Sequence, residues 1–235
     1  MKHQYFGDVN DYVKYGILRC MAAGGLRVGV CWMMTPDDGR SDGEKKFYFA
    51  QPGKWAGHDG ELFAVLQTAA GQQEERPLEA FEQKGLIPCA RFYGAYVPDA
   101  ADTRWVWFQQ TLVGLGETEM VFFDPDNGIE VPSKPAGCKG SSKYMLWTEI
   151  ERTWWAGKSL LIFQHFPRIN RELYICSLVE QTQKRLAADN IVALRSANVL
   201  FLLVIKAEHA ERMKTALGLL EKKWSPRVTQ HSFGG

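Results

Sequence analysis

The sequence lacks any uninterrupted apolar run of the roughly 18 to 20 residues that a membrane-spanning helix needs. Its first residues, Met-Lys-His-Gln-Tyr, also lack the apolar stretch of a secretion signal. Both absences argue against a membrane protein and against secretion. We therefore expect a cytoplasmic protein that has no membrane partner.

Paired cysteines and a strong excess of one charge are missing as well. The five cysteines are widely spaced and form no Cys-x-x-Cys motif, which argues against a disulfide framework and a structural zinc site. The 28 Lys and Arg residues nearly balance the 27 Asp and Glu residues, so the net charge is only +1. Overall charge thus neither predicts nor excludes RNA or DNA as a partner, and a nucleic acid would have to bind a local patch.

No internal repeat, low-complexity tract or linker divides the chain. This predicts a single domain over residues 1–235, with residues 44–86 as a helical insertion after the first strand. Runs rich in Val, Ile, Phe and Leu predict buried strands at residues 26–34, 87–97, 119–123, 159–163, 191–194 and 199–205. Helical periodicity predicts helices at residues 9–21, 59–70, 77–84, 103–115, 148–155, 171–188 and 207–224.

Local signals refine some of these boundaries. Asp8 is a candidate N-cap of the first helix, and Gly24-Gly25 would end it. A Thr-x-x-Glu pattern from Thr148 to Glu151 predicts a capping box for the helix at residues 148–155. Residues 229–235 are interpreted as a frayed tail.

The alternation of strands and helices predicts an α/β fold: a Rossmann-like, mostly parallel sheet with helices on both faces. Ligands bind such sheets outside the carboxyl ends of the strands. Two loops follow strands at that edge, residues 35–43 and residues 124–128. They are the prime candidates for a functional site.

In the second loop, Asp124 directly follows four apolar residues and stands at a strand tip, and the residues behind it favour a tight turn. Asp126 and Glu130 add two carboxylates, so oxygen ligands for a divalent cation are one interpretation. A turn in which Asp124 merely accepts hydrogen bonds from the backbone is the other.

The first loop lacks the Gly-x-Gly-x-x-Gly pattern of dinucleotide-binding folds, which argues against a Rossmann dehydrogenase. Its glycines, Gly39 among them, would let the backbone approach a cofactor, while Asp37 or Asp38 would accept from hydroxyl groups. A solvated acidic turn explains the same residues equally well.

Two further segments carry candidate groups. His165 follows the strand at residues 159–163, where it would act as a general base or a metal ligand, and Arg168 would hold a phosphate. Lys143 and Tyr144 lie in a short basic loop suited to a phosphate and a stacked base. Structural roles for the histidine and for the basic loop remain open alternatives.

Two segments resemble those of the bacterial large-subunit ribosomal RNA adenine-N6 methyltransferases. The run Gly-Asp-Val-Asn-Asp-Tyr-Val-Lys-Tyr at residues 7–15 is similar to that family's Gly-Asn-x-x-Asp-Val-x-Lys-His, with Gly7, Asp11 and Lys14 identical. Phe-Phe-Asp-Pro at residues 122–125 corresponds to its strand followed by Asp-Pro-Pro-Tyr/Phe.

The resemblance implies a class I methyltransferase-like fold that uses S-adenosylmethionine. Lys14 and Tyr15 would lie near the cofactor, Thr35 to Gly39 would form the cofactor loop, and Asp124 would accept a hydrogen bond from the amino group that is methylated. The sequence departs from the family where Asp126 replaces the second proline and Asn127 replaces the aromatic residue that stacks on the base. The first loop also lacks the family's histidine and its Ala-Gly pair.

Three hypotheses follow. The favoured one is an S-adenosylmethionine-dependent methyltransferase-like protein acting on amino groups of nucleic acid, with Asp124, Asp126, Asn127 and His165 as its catalytic set. The second is a metal-dependent phosphodiesterase or nuclease that binds Mg²⁺ or Mn²⁺ through the carboxylates of the two loops. The third is a non-catalytic descendant of the fold that binds a nucleotide or a partner protein.

Overall fold

The apolar runs form the strands of a central sheet. The computed structural model describes residues 1–37, 39, 45–71 and 77–233. This sheet has seven strands, and a separate pair of short strands lies beside it. The strands in chain order are β1 (Val28–Cys31), β2 (Arg91–Tyr93), β3 (Met120–Phe123), β4 (Gly128–Ile129), β5 (Tyr144–Met145), β6 (Ser159–His165), β7 (Ile191–Arg195), β8 (Val199–Val204) and β9 (Thr229–Phe233).

The order across the large sheet is β2-β1-β3-β6-β8-β7-β9. The first four strands pair in parallel, whereas β8 is antiparallel to both of its neighbours and β9 is antiparallel to β7. Since β7 and β6 are each antiparallel to β8, they point the same way, and the sheet is mostly parallel as predicted. Cys31 is level with Phe123, and Phe123 with Ile162, so β1, β3 and β6 end at one edge.

Helices cover both faces of this sheet, which confirms the predicted fold class. The helices are α1 (Val9–Ala23), α2 (Pro52–Trp55), α3 (Gly60–Ala70), α4 (Pro77–Gln83), α5 (Ala101–Gly114), α6 (Trp147–Trp155), α7 (Arg171–Leu186) and α8 (Ala210–Trp224). One buried cluster joins the sheet to α1, α3, α4 and α8, and another joins it to α5, α6 and α7. None of the helices in the described ranges is long and apolar enough to cross a membrane.

The two-sided burial explains why the strands show no polar alternation. In β3, Met120 and Phe122 pack into the first cluster, while Val121 and Phe123 pack into the second. All four residues are fully buried. A strand that is covered on both faces needs apolar side chains at every position.

The first helix, α1, begins beside the edge of the sheet where β3 and β6 end. Asp8 caps α1 as predicted, because its Oδ1 accepts a hydrogen bond from the Asp11 backbone N–H at 2.8 Å. The helix ends at Ala23, and Gly24 is its C-cap residue. Its inner face packs against α8, where Gly16 lies directly under the ring of Trp224.

Two local predictions are wrong. The capping interaction of α6 runs from Glu149, whose Oε2 accepts from the Leu146 backbone N–H at 2.9 Å, and not from Thr148 to Glu151. Residues 229–233 are not a frayed tail, since they form β9 on β7. An edge strand is held by backbone hydrogen bonds, so its polar side chains gave no strand signal.

The region predicted as a helical insertion lies between β1 and β2. Its described part contains α2, α3 and α4 together with a 3-10 helix at Phe47–Ala50. Buried residues of this segment, including Tyr48 and Leu66, join the same cluster as α1. The segment therefore packs onto the helix that carries Asp8, Asp11 and Lys14.

Candidate functional site

A pocket of about 260 Å³ lies at the carboxyl ends of β3 and β6, beside the N-terminal turns of α1. This is the edge where the sequence predicts a site. The pocket is lined mainly by charged and polar side chains. Its lining residues are Met1, Lys2, Tyr5, Asp8, Asn10, Asp11, Lys14, Lys45, Asp124, Pro125, Asp126, Asn127, Lys143, Phe163 and His165.

Lys14 ties α1 to the tip of β3. Its Nζ lies 2.6 Å from Asp124 Oδ2 and 2.8 Å from Asp11 Oδ1, and all three side chains are buried. Burial by itself lowers the pKa of Lys14, but the charges of Asp11 and Asp124 outweigh it and the pKa is raised. Lys14 is therefore a permanent cation that connects segments 110 residues apart in the chain.

Asp124 occupies the strand tip that the sequence assigns to it. Its backbone N–H donates to the carbonyl of Cys31 at 3.0 Å, so it continues the pairing of β3 with β1. Burial raises the pKa of its carboxyl group, and Lys14 opposes that rise. Lys14 holds Oδ2, and no described residue donates a hydrogen bond to Oδ1.

Asp126 joins the two candidate loops. Thr35 Oγ1 donates to its Oδ2 at 2.6 Å, and the α-amino group of Met1 lies 2.7 Å from its Oδ1. Burial raises the pKa of Asp126, but the neighbouring amino group, these hydrogen bonds and Lys2 outweigh it and the pKa is lowered. Asp126 is thus an anion whose geometry is set by the first loop.

The turn after Asp126 brings Asn127 to the pocket. Its backbone N–H donates to the carbonyl of Lys143 at 2.9 Å, whereas no described residue hydrogen-bonds to its side-chain amide. Gly128 follows with φ +112°, and a Cβ there would lie 2.3 Å from Gln164 Oε1. That same oxygen accepts from the backbone N–H of Ile129 at 2.7 Å. Gln164 therefore fixes the turn, a role that the sequence analysis did not assign to it.

His165 ends β6 at the rim of the pocket. The residue as a whole is exposed, but its imidazole ring packs edge-on against the Phe163 ring, with 4.9 Å between the ring centroids. Burial, and after it the charge of Lys14, lowers the pKa of His165 from 6.5. The neutral imidazole, which is able to accept a proton, therefore dominates at neutral pH.

Several residues predicted to bind a cofactor are not in the pocket. Tyr15 is fully buried and stacks on Phe81 at 4.2 Å, so its ring has no surface for a ligand. Asp37 and Gly39 are exposed and interact with Gln4 at 3.3 and 3.2 Å. Asp38 lies outside the described residues.

The residues predicted to bind the substrate are separated. Lys143 lines the pocket. Tyr144 belongs to β5, does not line the pocket, and its carbonyl accepts a hydrogen bond from Arg104. Arg168 is exposed and is also not a lining residue.

Asp8 is a pocket residue that the sequence analysis treated only as a helix cap. Its Oδ2 accepts from Asn10 Nδ2 at 3.1 Å, while burial, and after it the charge of Asp11, raises its pKa from 3.8 to about 7. Asp8, Asp11 and Lys14 are spaced by three residues, which places them along one side of a helix. The three-residue spacing is the sequence signal from which these three side chains could have been predicted to lie together.

The raised pKa of Asp8 predicts a pH-dependent effect of Asp8→Asn, which keeps a good capping residue. Between about pH 4 and pH 7 the folded wild type holds a proton that the unfolded chain releases, so its stability falls as pH rises. The variant escapes this loss. Its free energy of unfolding should equal that of wild type below pH 4 and exceed it at pH 8, by at most about 4 kcal/mol.

Urea denaturation at pH 4 and pH 8 measures this difference. Asp102→Asn, which changes an exposed carboxylate in the first turn of α5, is the matched control and should show no such pH dependence. A constant difference between Asp8→Asn and wild type at both pH values would contradict the assignment.

The pocket provides hydrogen-bond acceptors, fixed cations and a neutral imidazole. Within the described ranges, no three His, Cys, Asp or Glu side chains are grouped to hold a metal ion. Asp42, a further carboxylate of the first loop, lies outside those ranges. Comparison with protein-family models, with curated proteins and with solved structures found no match. The functional inference therefore depends on the groups in the pocket.

Proposed function

We propose that this protein is an S-adenosylmethionine-dependent methyltransferase that acts on amino groups of nucleic acid. The supporting observation is the contact between Lys14 Nζ and Asp124 Oδ2 at 2.6 Å. It brings together the two segments that carry the family resemblance, although they are 110 residues apart. A coincidental likeness in two short segments would not require them to meet in one pocket.

The composition of the pocket is compatible with the cofactor. When bound, S-adenosylmethionine supplies an electrophilic methyl group on a positively charged sulfonium. Asp11 and Asp124 both contact Lys14 in the pocket, and two carboxylates beside one lysine suit a cationic ligand, while Lys2, Lys45 and Lys143 also belong to the lining. At about 260 Å³, the pocket is somewhat smaller than a typical site of about 300 to 1,000 Å³. We therefore expect it to hold only part of the ligand.

The residues of the pocket take distinct roles under this proposal. Because Lys14 holds Asp124 Oδ2, Oδ1 is left to accept one N–H of the acceptor amine. The side-chain oxygen of Asn127 would accept the second N–H. Two such hydrogen bonds orient the nitrogen lone pair, and orientation of this kind supplies a large part of enzymatic rate enhancement.

The remaining groups accept the proton released by the amine, position their neighbours or bind the substrate. Neutral His165 accepts the proton that the amine loses as it gains the methyl group. Asp126 acts through its hydrogen bond from Thr35 and is a positioning residue. Lys143 would bind a phosphate of the substrate at the pocket rim.

Calorimetric titration with S-adenosylmethionine and S-adenosylhomocysteine in the presence of EDTA tests the cofactor. We expect micromolar binding that EDTA does not change. No binding by the wild type would overturn the proposal, and heat released by Mn²⁺ in its place would favour the metal-dependent hydrolase.

Asn127→Ala tests the acceptor site. We expect transfer of labelled methyl groups to oligonucleotides to fall by about 100-fold in kcat, because a misplaced nucleophile costs about that much. Binding of S-adenosylhomocysteine should stay unchanged. Asn190→Ala alters an exposed asparagine outside the pocket and serves as the control. Equal rates for Asn127→Ala and the control would remove Asn127 from the site.

A further inference from the structure

A second concave surface, of about 450 Å³, lies beside the pocket. It is bounded by the first turns of α1, by the turn between β7 and β8, and by the segment that leads into β9. We call it the Arg227 groove. Its lining residues are Val9, Asn10, Val13, Trp55, Arg195, Ser196, Ala197, Asn198, Pro226, Arg227, Thr229 and His231.

The Arg227 groove is basic, whereas the pocket is lined by side chains of both charges. Arg195 and Arg227 line it, and among the residues that the structure describes no aspartate or glutamate belongs to its lining. This local asymmetry contrasts with a chain whose net charge is only +1. A concave basic surface favours an anionic ligand.

Arg227 has hydrogen-bond donors available for such a ligand. Its guanidinium lies 4.2 Å from the centre of the Trp55 ring, and no described carboxylate forms a salt bridge with it. Arg195 differs, because it pairs with the exposed carboxylate of Glu172. A guanidinium that is held over an aromatic ring is preorganised to bind a phosphate through two parallel hydrogen bonds.

The groove adjoins the pocket. Asn10 lines both, and its side chain donates to Asp8 in the pocket at 3.1 Å. A second connection passes through β6, where His165 lines the pocket and the adjacent Phe166 ring contacts Arg195 of the groove at 5.9 Å. One extended ligand can therefore occupy both surfaces.

We propose that the Arg227 groove binds the phosphodiester backbone of a single-stranded nucleic acid. The placement of one of its bases in the adjacent pocket rests on the proposed methyltransferase function, whereas backbone binding does not. A concave basic groove follows the backbone of a single strand, whereas duplex DNA is read by helices or ribbons that project into its grooves. Neutral hydrogen-bonding side chains at Asn198 and Thr229 also suit a strand of phosphates and sugars.

Fluorescence anisotropy with labelled ten-nucleotide RNA and DNA strands tests the inference. Arg227→Gln should weaken binding of a single strand by at least about 10-fold and should lower the slope of log affinity against log salt by about one. Arg227→Lys, which keeps the charge, should recover part of the affinity. The RNA and DNA arms tell which backbone is preferred.

Arg152→Gln is the matched control, because Arg152 also stacks on a tryptophan, Trp105, at 4.4 Å but lines neither the pocket nor the groove. It should bind strands as wild type does. Equal losses for Arg227→Gln and Arg152→Gln would overturn the inference. So would equal affinity of the wild type for a duplex, or displacement of the strand by polyglutamate at equal charge.

Titration of Arg227→Gln with S-adenosylhomocysteine separates the two proposals. We expect its cofactor affinity to match wild type, since Arg227 does not line the pocket. Strand binding through Arg227 without any cofactor binding by the wild type would support the groove and overturn the methyltransferase. Cofactor binding without strand binding would overturn the groove alone.

Discussion

Lys14→Met is expected to destabilise the folded protein by about 3 to 5 kcal/mol, as removal of one partner from a buried ion pair does. The substitution leaves Asp11 and Asp124 buried without the ammonium group that lies 2.8 and 2.6 Å from them. Since whole domains are stable by only about 5 to 15 kcal/mol, this is a large share of the total. Chemical denaturation at pH 8 measures it.

The pH dependence separates charge from packing in this experiment. Burial raises the pKa of Asp124, and loss of Lys14 removes the positive charge that opposes this rise. Protonation of Asp124 at low pH removes its uncompensated charge, so Lys14→Met should approach wild type as pH falls toward 4. Lys14→Met combined with Asp124→Asn should likewise recover part of the loss. An equal loss at pH 4 and pH 8 would show that packing, and not charge, determines the effect.

Lys158→Met is the matched control, since Lys158 is also buried but donates only to the carbonyls of Leu115, Gly116 and Thr118. Its removal leaves no buried carboxylate without a partner. We expect a smaller loss, of about 1 to 3 kcal/mol, from the unsatisfied carbonyl groups. This loss should not shrink as carboxylates protonate.

Gly16→Ala is expected to destabilise the protein by about 3 kcal/mol or more, at the upper end of the cost of overpacking. A Cβ at Gly16 would lie 1.8 Å from Cζ2 of Trp224 and 2.4 Å from its Cε2. Trp224 cannot easily move, because it is fully buried and its ring packs on Tyr12 and His58 at 4.9 and 5.4 Å. Thermal unfolding followed by circular dichroism measures the loss.

Gly218→Ala, in the helix that packs against α1, should change the stability of the protein in the opposite direction. Gly218 lies in α8, and a Cβ added there would have no described atom within 4 Å beyond the backbone of its own helix, so alanine meets no obstacle. Alanine should then stabilise the helix by about 0.5 to 1 kcal/mol. If Gly16→Ala were also stabilising, the close approach of α1 and α8 would be incorrect.

Local sequence patterns identify some residues of the pocket and not others. Asp124 is recognisable because a carboxylate directly after four apolar residues stands at a strand tip. Asp8 was recognised only as a cap, since its raised pKa depends on burial and on Asp11, and both arise in the folded state. The family resemblance places both Lys14 and Tyr15 near the cofactor, but adjacent helical residues face different directions, and the ring of Tyr15 lies in the core.

The Arg227 groove could not have been predicted from the chain. Arg195 is the last residue of β7, Arg227 lies just before β9, and Asn10 belongs to α1, so no short segment contains the three. The polar strand β9 was itself missed. The groove exists because β7, β8 and β9 pair beside the first turns of α1.

The sequence by itself determined the α/β class, the helices other than the short α2, and the edge of the sheet that carries the polar loops. These features depend on hydrophobic periodicity and capping, which act between residues close in the chain. Only the tertiary structure decided that Lys14 pairs with Asp124, that Asp126 binds Thr35 and that Gln164 fixes the turn at Gly128. Those contacts join residues from 35 to 110 positions apart, and their strength comes from a burial that exists only once the sheet and its helices have assembled.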